Sequence, residues 1–138
     1  GLSYALCTHR HEDYHYLLRV FSDKYQDRPQ DISGVVVGDI QFSAFFPLSV
    51  ALRKGIFDIA GYAEIPSSLQ EFPLFRTGFY DKESRKILNW FLWDGESSWR
   101  IGKLSKEQKN HPIRGVWNDT LLVSRIESGY TSETDPAT

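Results

Sequence analysis

The sequence lacks the features of disulfide-bonded and membrane-spanning proteins. Cys7 is the only cysteine, so no disulfide can form within the chain, and this favours a reducing compartment. No apolar run approaches the roughly 20 residues that a bilayer-spanning helix requires, and no basic segment precedes an apolar one as in a secretory signal. We therefore expect a cytoplasmic protein that does not associate with membranes.

Phosphate-binding glycine motifs and an excess of basic residues are also missing. Neither a G-x-x-x-x-G-K-[ST] loop nor a G-x-G-x-x-G turn occurs, so nothing supports the binding of ATP or a dinucleotide. The net charge is −2, whereas proteins that bind nucleic acids usually carry a basic field. We expect no cofactor and no nucleic-acid partner.

Aromatic residues, in contrast, are abundant. They make up 14% of the 138 residues, and this favours a sheet-rich core that contains large rings. Apolar residues make up 41% and charged residues 25%, as is usual for a globular protein. The length fits one domain, which we place at residues 1–130, and the polar segment 131–138 is predicted to be a disordered tail.

The clearest local pattern is a tryptophan-rich hairpin at residues 89–102. Asp94-Gly95 lies between two runs of alternating apolar residues, which is a strong hairpin signal. A two-residue turn would pair Trp90 with Trp99, and a four-residue turn would pair Trp90 with Ile101. Either turn places Trp90, Leu92, Trp99 and Ile101 on one face of the hairpin.

The order of the predicted elements favours an α+β fold. We predict strands at residues 2–8, 14–21, 35–46, 56–63, 74–80 and in the hairpin at 89–102. Short helices are predicted after Pro47, near Ser105 and from residue 118 to 128, the last of these burying Leu122, Val123 and Ile126. Because strands and helices do not alternate regularly, we expect a curved, mainly antiparallel sheet with two or three short helices. A partly closed barrel is the alternative.

Three histidines lie close together near the N-terminus. His9, His11 and His15 stand beside Glu12 and Asp13, and imidazoles at this density can bind zinc or nickel. The favoured interpretation is a solvated polar loop at residues 9–13, because neither a CxxC pair nor an HExxH helix is present. We therefore assign no metal, and the three histidines remain weak candidates.

No other residue carries a catalytic signature. Cys7 is predicted to lie in the middle of a strand, where cysteine usually acts as a small buried apolar residue. Trp117 and Arg114 fall in an irregular segment near the C-terminus, and both residue types are favoured at interface hot spots. We expect Trp117 to be half-exposed.

Three stretches together resemble the bacterial immunity proteins of polymorphic toxin systems, and are most similar to the immunity protein 26 family. The stretches are Tyr4-Ala5 with Tyr16-Leu17-Leu18-Arg19-Val20-Phe21, Ile65-Pro66 with Phe72-Pro73-Leu74-Phe75-Arg76, and Trp93-Asp94-Gly95-Glu96 with Trp99-Arg100-Ile101-Gly102-Lys103-Leu104. The similarity spans residues 3–128, and the run at 113–119 departs from the pattern.

This resemblance implies a non-enzymatic protein that binds and neutralises a cognate toxin domain, often a nuclease. Acidic side chains on loop tips would complement the basic surface of such a nuclease. The predicted partner-binding residues are Glu12, Asp13, Asp94, Glu96, Arg114 and Trp117. Two alternatives stay open, namely a small metal-dependent hydrolase built on the histidine-rich loop and a domain that binds RNA or a small molecule.

Overall fold

Two three-stranded antiparallel sheets and three short α-helices form the protein in the computed structural model, which describes residues 1–138. The strands are β1 (Ala5–His11), β2 (His15–Phe21), β3 (Ile40–Phe46), β4 (Phe75–Asp81), β5 (Lys86–Trp93) and β6 (Ser98–Gly102). The α-helices are α1 (Leu48–Arg53), α2 (Ser67–Gln70) and α3 (Asp119–Ser128), and short 3-10 helices occupy Ile32–Gly34, Gln108–Asn110 and Ser132–Thr134. The predicted α+β class is confirmed, and the sheets do not close into a barrel.

The first sheet, in the order β1-β2-β3, is covered on both faces. Successive side chains of a strand point to opposite faces, and in β2 both sets are buried. One face packs against α1, α3 and Trp117. Its buried core consists of Leu18, Val20, Phe42, Ala44, Phe46, Ala51, Trp117 and Leu122.

The opposite face of the first sheet packs against the second sheet, whose order is β4-β5-β6. Leu17 and Phe45 are paired across β2 and β3, and they meet Phe75 and Trp93 of the second sheet. The segment 111–117 connects the two sheets, because it forms isolated parallel bridges to Phe45 and to Arg76. The two sheets therefore share one aromatic core.

Helix α3 begins and ends as the sequence predicts. The side chain of Asn118 accepts a hydrogen bond from the backbone N–H of Leu121, and Gly129 ends the helix in the left-handed conformation with φ 73°. Leu122 is buried, whereas Val123 is 38% exposed and was wrongly predicted to be buried. Val123 follows Leu122 by one residue, so it lies about 100° further around the helix and away from the sheet.

Three predicted segments differ in the structure. Residues 56–63 contain no strand, residues 35–39 form turns before β3, and β1 extends through His11 beyond the predicted end at residue 8. The tryptophan hairpin has the four-residue turn, with Leu92 opposite Trp99. An irregularity between Trp90 and Phe91 then places Trp90 opposite Gly102, a bulge that apolar alternation does not reveal.

The C-terminal segment 131–138, predicted to be disordered, packs against the rest of the chain. Ser132 and Asp135 are buried, and the backbone N–H of Ile87 donates to the carbonyl of Ala137 at 3.1 Å. The polar composition of the segment suggested a solvated tail, but its carbonyl and carboxylate groups are partners of buried polar side chains. None of the helices has the length and apolar character that crossing a bilayer requires.

Candidate functional site at the two hairpin turns

The turn between β1 and β2 meets the turn between β5 and β6 at one end of the molecule. His11 Nε2 lies 2.8 Å from the carbonyl oxygen of Gly95, and His11 Nδ1 lies 3.0 Å from the backbone nitrogen of Asp13. Since Nδ1 accepts the N–H of Asp13, the ring carries its proton on Nε2 and donates it to Gly95. The side chain of His11 thus joins the two turns.

A cluster of aromatic rings packs around this contact. The aromatic cluster, as we call it, consists of His11, Tyr14, Phe45, Phe72, Phe75 and Trp93, whose rings pack against one another. The centroid of Trp93 is 5.0 Å from that of His11 and 5.1 Å from that of Tyr14, within the range of favourable aromatic pairs. The ring of Phe72 packs so closely on Gly95 that a Cβ atom there would lie 2.9 Å from it. Both turns are therefore fixed to the shared core.

Four exposed carboxylates project from the joined turns. We call Glu12, Asp13, Asp94 and Glu96 the acidic tip. The Asp94 carboxylate accepts the backbone N–H groups of Glu96 and Ser97 at 2.9 and 2.8 Å, and these bonds lower the pKa of Asp94. Neither of the two salt bridges in the protein involves an acidic-tip residue. The negative charge of the tip is therefore not neutralised within the chain.

Arg114 and Trp117 occupy different environments from the acidic tip. The Arg114 guanidinium lies 5.2 Å from the ring of Trp93 and 5.5 Å from that of Tyr14, so it packs beside the aromatic cluster. Trp117 is only 8% exposed, although we expected it to be half-exposed. It packs on Phe42 at a centroid distance of 5.0 Å, because segment 111–117 pairs with the edge of β3. Trp117 therefore belongs to the core.

The histidines are not arranged as metal ligands. His9 Nε2 lies 2.8 Å from the carbonyl oxygen of Gln70, and its Nδ1 lies 2.8 Å from Thr8 Oγ1, so both ring nitrogens are bonded within the protein. His15 is exposed and has a left-handed backbone with φ 72°. No group of three or more His, Cys, Asp or Glu residues is placed to hold a metal ion.

Cys7 is half-buried in β1, and its Sγ lies 3.8 Å from the carbonyl oxygen of His9. Burial raises the pKa of its thiol, which disfavours the nucleophilic thiolate.

The sequence-based interpretation missed two buried arginines, Arg19 and Arg76. Arg76 is fully buried, and its Nε donates to the carbonyl of His111 at 2.8 Å. Its Nη2 donates to the carbonyls of Lys109 and Ser132, and its guanidinium lies 4.5 Å from the ring of Trp90. The available signal was strand position, because Arg19 lies between Leu18 and Val20, and Arg76 directly follows Phe75, all of them apolar residues that are buried.

Comparison with known proteins does not assign the chain to a family. A scan against models of protein families, a search of curated proteins and a search of solved structures each find no match. The resemblance to the immunity protein 26 family therefore stays a prediction.

Proposed function

We propose that this protein is a non-enzymatic immunity protein that uses the acidic tip to bind and neutralise a cognate toxin domain. The observation that carries the proposal is the hydrogen bond between His11 and Gly95, which joins turns 84 residues apart in the chain. This bond brings Glu12 and Asp13 to the same end of the molecule as Asp94 and Glu96. Without this contact, the four carboxylates would belong to two unrelated turns.

The charge of the tip suits a basic partner such as a nuclease domain. Complementary charges steer association and select the correct partner. The acidic tip has no cation paired with it, so its carboxylates can bind lysine and arginine side chains of a toxin without first breaking an internal salt bridge. Arg114 lies beside the aromatic cluster, over the rings of Tyr14 and Trp93, and is the cationic residue of the proposed interface.

The rigidity of the tip favours binding. The aromatic cluster and the Asp94 turn hold the two loops in one arrangement, so little conformational entropy is lost when a partner binds. A preorganised surface of this kind blocks an active site or an exosite without any chemical step. The proposal therefore requires no catalytic residue.

The test is co-purification with the polypeptide encoded beside this protein, which should be toxic when it is expressed alone. We expect a one-to-one complex that weakens as salt is raised, since salt screens charge attraction. The decisive variant combines Glu12→Gln, Asp13→Asn, Asp94→Asn and Glu96→Gln. Asparagine at position 94 keeps an oxygen that caps the turn, so the variant removes charge and retains the local fold.

The matched control variant replaces four carboxylates that do not belong to the tip. It combines Asp27→Asn, Glu64→Gln, Glu83→Gln and Glu127→Gln. All four residues are exposed, and both variants change the net charge from −2 to +2. We expect the tip variant to lose the complex and the control to retain it. An equally tight complex with the tip variant would place the interface elsewhere, and the absence of both complex and toxicity would overturn the immunity function.

A further inference from the structure

A polar cavity of about 500 Å³ lies next to the aromatic cluster, between the first sheet and the segments around residues 73, 111 and 132. Arg19 of β2 is paired with Ser43 of β3, and both residues line the cavity. This pair lies two residues along the strands from the Leu17–Phe45 pair and therefore on the same face of the sheet. The polar lining also includes Asn110, His111, Ser132 and Glu133. This volume falls within the range of small-molecule sites, which is about 300–1,000 Å³.

Arg19 is a buried cation without a counter-ion. It is 6% exposed, and neither salt bridge in the protein involves it. Its Nε donates to Thr8 Oγ1 at 3.2 Å and its Nη1 donates to Ser43 Oγ at 3.5 Å, while its Nη2 has no hydrogen-bond partner in the protein. Burial of an unpaired charge is costly, and an anion in the cavity would offset that cost.

The wall behind the cavity contains a second buried arginine, Arg76, whose charge is partly offset by the buried carboxylate of Asp135. Arg76 donates to the carbonyls of His111 and Ser132, and both of these residues line the cavity. Burial, together with the charge of Arg76, lowers the pKa of His111, so its imidazole is neutral at neutral pH and offers one N–H donor. The carboxylate that faces the cavity is Glu133, which is exposed at the rim.

We infer that this cavity is a binding site for a small molecule that carries a phosphate or carboxylate group, with Arg19 as its anchor. The planar guanidinium matches both oxyanions through parallel N–H donors, and Ser43 and Asn110 are placed to bond the remaining oxygens. The inference is independent of the proposed immunity function, because it concerns a different surface and different residues. We call this cavity the Arg19 site.

The test is a titration of the ¹⁵N-labelled protein with inorganic phosphate and, separately, with citrate, at constant ionic strength set with sodium chloride. We expect saturable shifts of the backbone amide signals of Ser43, Asn110 and Ser132. The anion that binds with the higher affinity shows whether the site prefers a phosphate or a carboxylate group. Arg19→Met should abolish saturation, because it removes the charge and keeps an apolar side chain of similar length.

Two rim variants test the same site without changing the buried core. Asn110→Asp adds a negative charge to the lining and should weaken binding by roughly threefold or more, whereas Glu133→Gln removes one and should strengthen it by a similar factor. Arg100→Gln is the matched control, because Arg100 is exposed on β6 and bonds Asn89 at 2.9 Å. We expect this variant to bind as the wild type does.

The inference is overturned if neither anion gives saturable shifts, or if Arg19→Met and Asn110→Asp bind as the wild type does. Shifts that follow total salt and not the added anion would show screening of surface charges only, and they too would count against the site.

Discussion

At the scale of single residues, the two buried arginines, Arg19 and Arg76, differ in their hydrogen-bond partners. Arg76 donates to three backbone carbonyls and lies over the ring of Trp90, although its buried Nη1 has no hydrogen-bond partner. Arg19 has only two hydroxyl partners and borders a cavity. Burial lowers the pKa of both guanidinium groups, but arginine remains protonated in proteins. The two arginines should therefore respond differently to replacement.

Replacement of Arg76 by methionine should lower the free energy of unfolding by about 3 kcal/mol or more, because it removes a donor from three carbonyls and leaves those of Lys109 and His111 without any donor in the protein. The same change at Arg19 should alter the free energy of unfolding by less than about 1 kcal/mol, because a poorly compensated charge is removed. Urea denaturation of both variants checks the contrast. Equal losses at the two positions would show that the carbonyl partners do not decide the outcome.

Tyr130 links stability to alkaline pH. Its hydroxyl donates to the carboxylate of Asp135, and burial together with this carboxylate raises the pKa of Tyr130. A raised pKa in the folded state favours the protonated form, so the added stability is complete below the ordinary tyrosine pKa near 10 and is lost as the pH rises above it.

We expect Tyr130→Phe to flatten the alkaline decline, measured as the midpoint of urea unfolding between pH 8 and pH 11. Tyr62→Phe is the matched control, because Tyr62 is 89% exposed. The linkage is refuted if the Tyr130→Phe and wild-type curves stay parallel throughout this pH range.

At the scale of elements, the turn between β5 and β6 combines a local conformation with a distant contact. Gly95 has φ 101°, a region that favours glycine, and its α-carbon faces the ring of Phe72. Its carbonyl also accepts the bond from His11. One residue therefore supports the shape of the turn and its attachment to the first hairpin.

Gly95→Ala should destabilise the protein by about 2 kcal/mol, because left-handed strain is combined with a clash against Phe72. It should also weaken the toxin complex, since the two halves of the acidic tip would separate. Gly115→Ala is the control, because no atom lies within 4 Å of the added Cβ and its φ is not positive. Thermal unfolding and co-purification of both variants test the expectation, and equal behaviour of the two would contradict it.

The sequence predicts elements whose signals are local. The Asp94-Gly95 turn, the Asn118 cap and the Gly129 end each depend on a few neighbouring residues, and each is found where expected. Residues 56–63 alternate as a strand does, but they lack a partner strand, so the alternation alone is misleading.

The long-range contacts of the fold and of the candidate site could not be predicted from the sequence. The bond between His11 and Gly95, the burial of Trp117 and the carbonyl partners of Arg76 all join residues that are far apart in the chain. The sequence places each acidic residue of the tip in a turn, but it does not show that the two turns meet.

At the scale of the whole molecule, the two sheets are held together by one cluster and one segment. Phe45 is fully buried, its ring stacks on that of Phe75 at 4.8 Å, and its carbonyl accepts the N–H of Trp117 at 3.0 Å. Neither sheet buries its inner face without the other. The protein should therefore unfold in a single transition.

Phe45→Ala should lower the free energy of unfolding by about 3–5 kcal/mol, because it opens a cavity between the two sheets. Phe79→Ala is the control and should have little effect, since Phe79 is 85% exposed. Tryptophan fluorescence and far-ultraviolet circular dichroism should report the same midpoint in each variant. Separate midpoints would show that the two sheets unfold independently.

The partners of Arg76 also set a limit on when the chain can fold during synthesis. Its guanidinium bonds residues 33, 35 and 56 positions later in the sequence, and the last of these is Ser132. A ribosome adds about 5–20 residues per second, so several seconds pass between the synthesis of Arg76 and that of its final acceptor, Ser132. The interior of a nascent molecule stays incomplete until Ser132 has been added, and a chain that stops before this residue lacks one of the hydrogen-bond acceptors of Arg76.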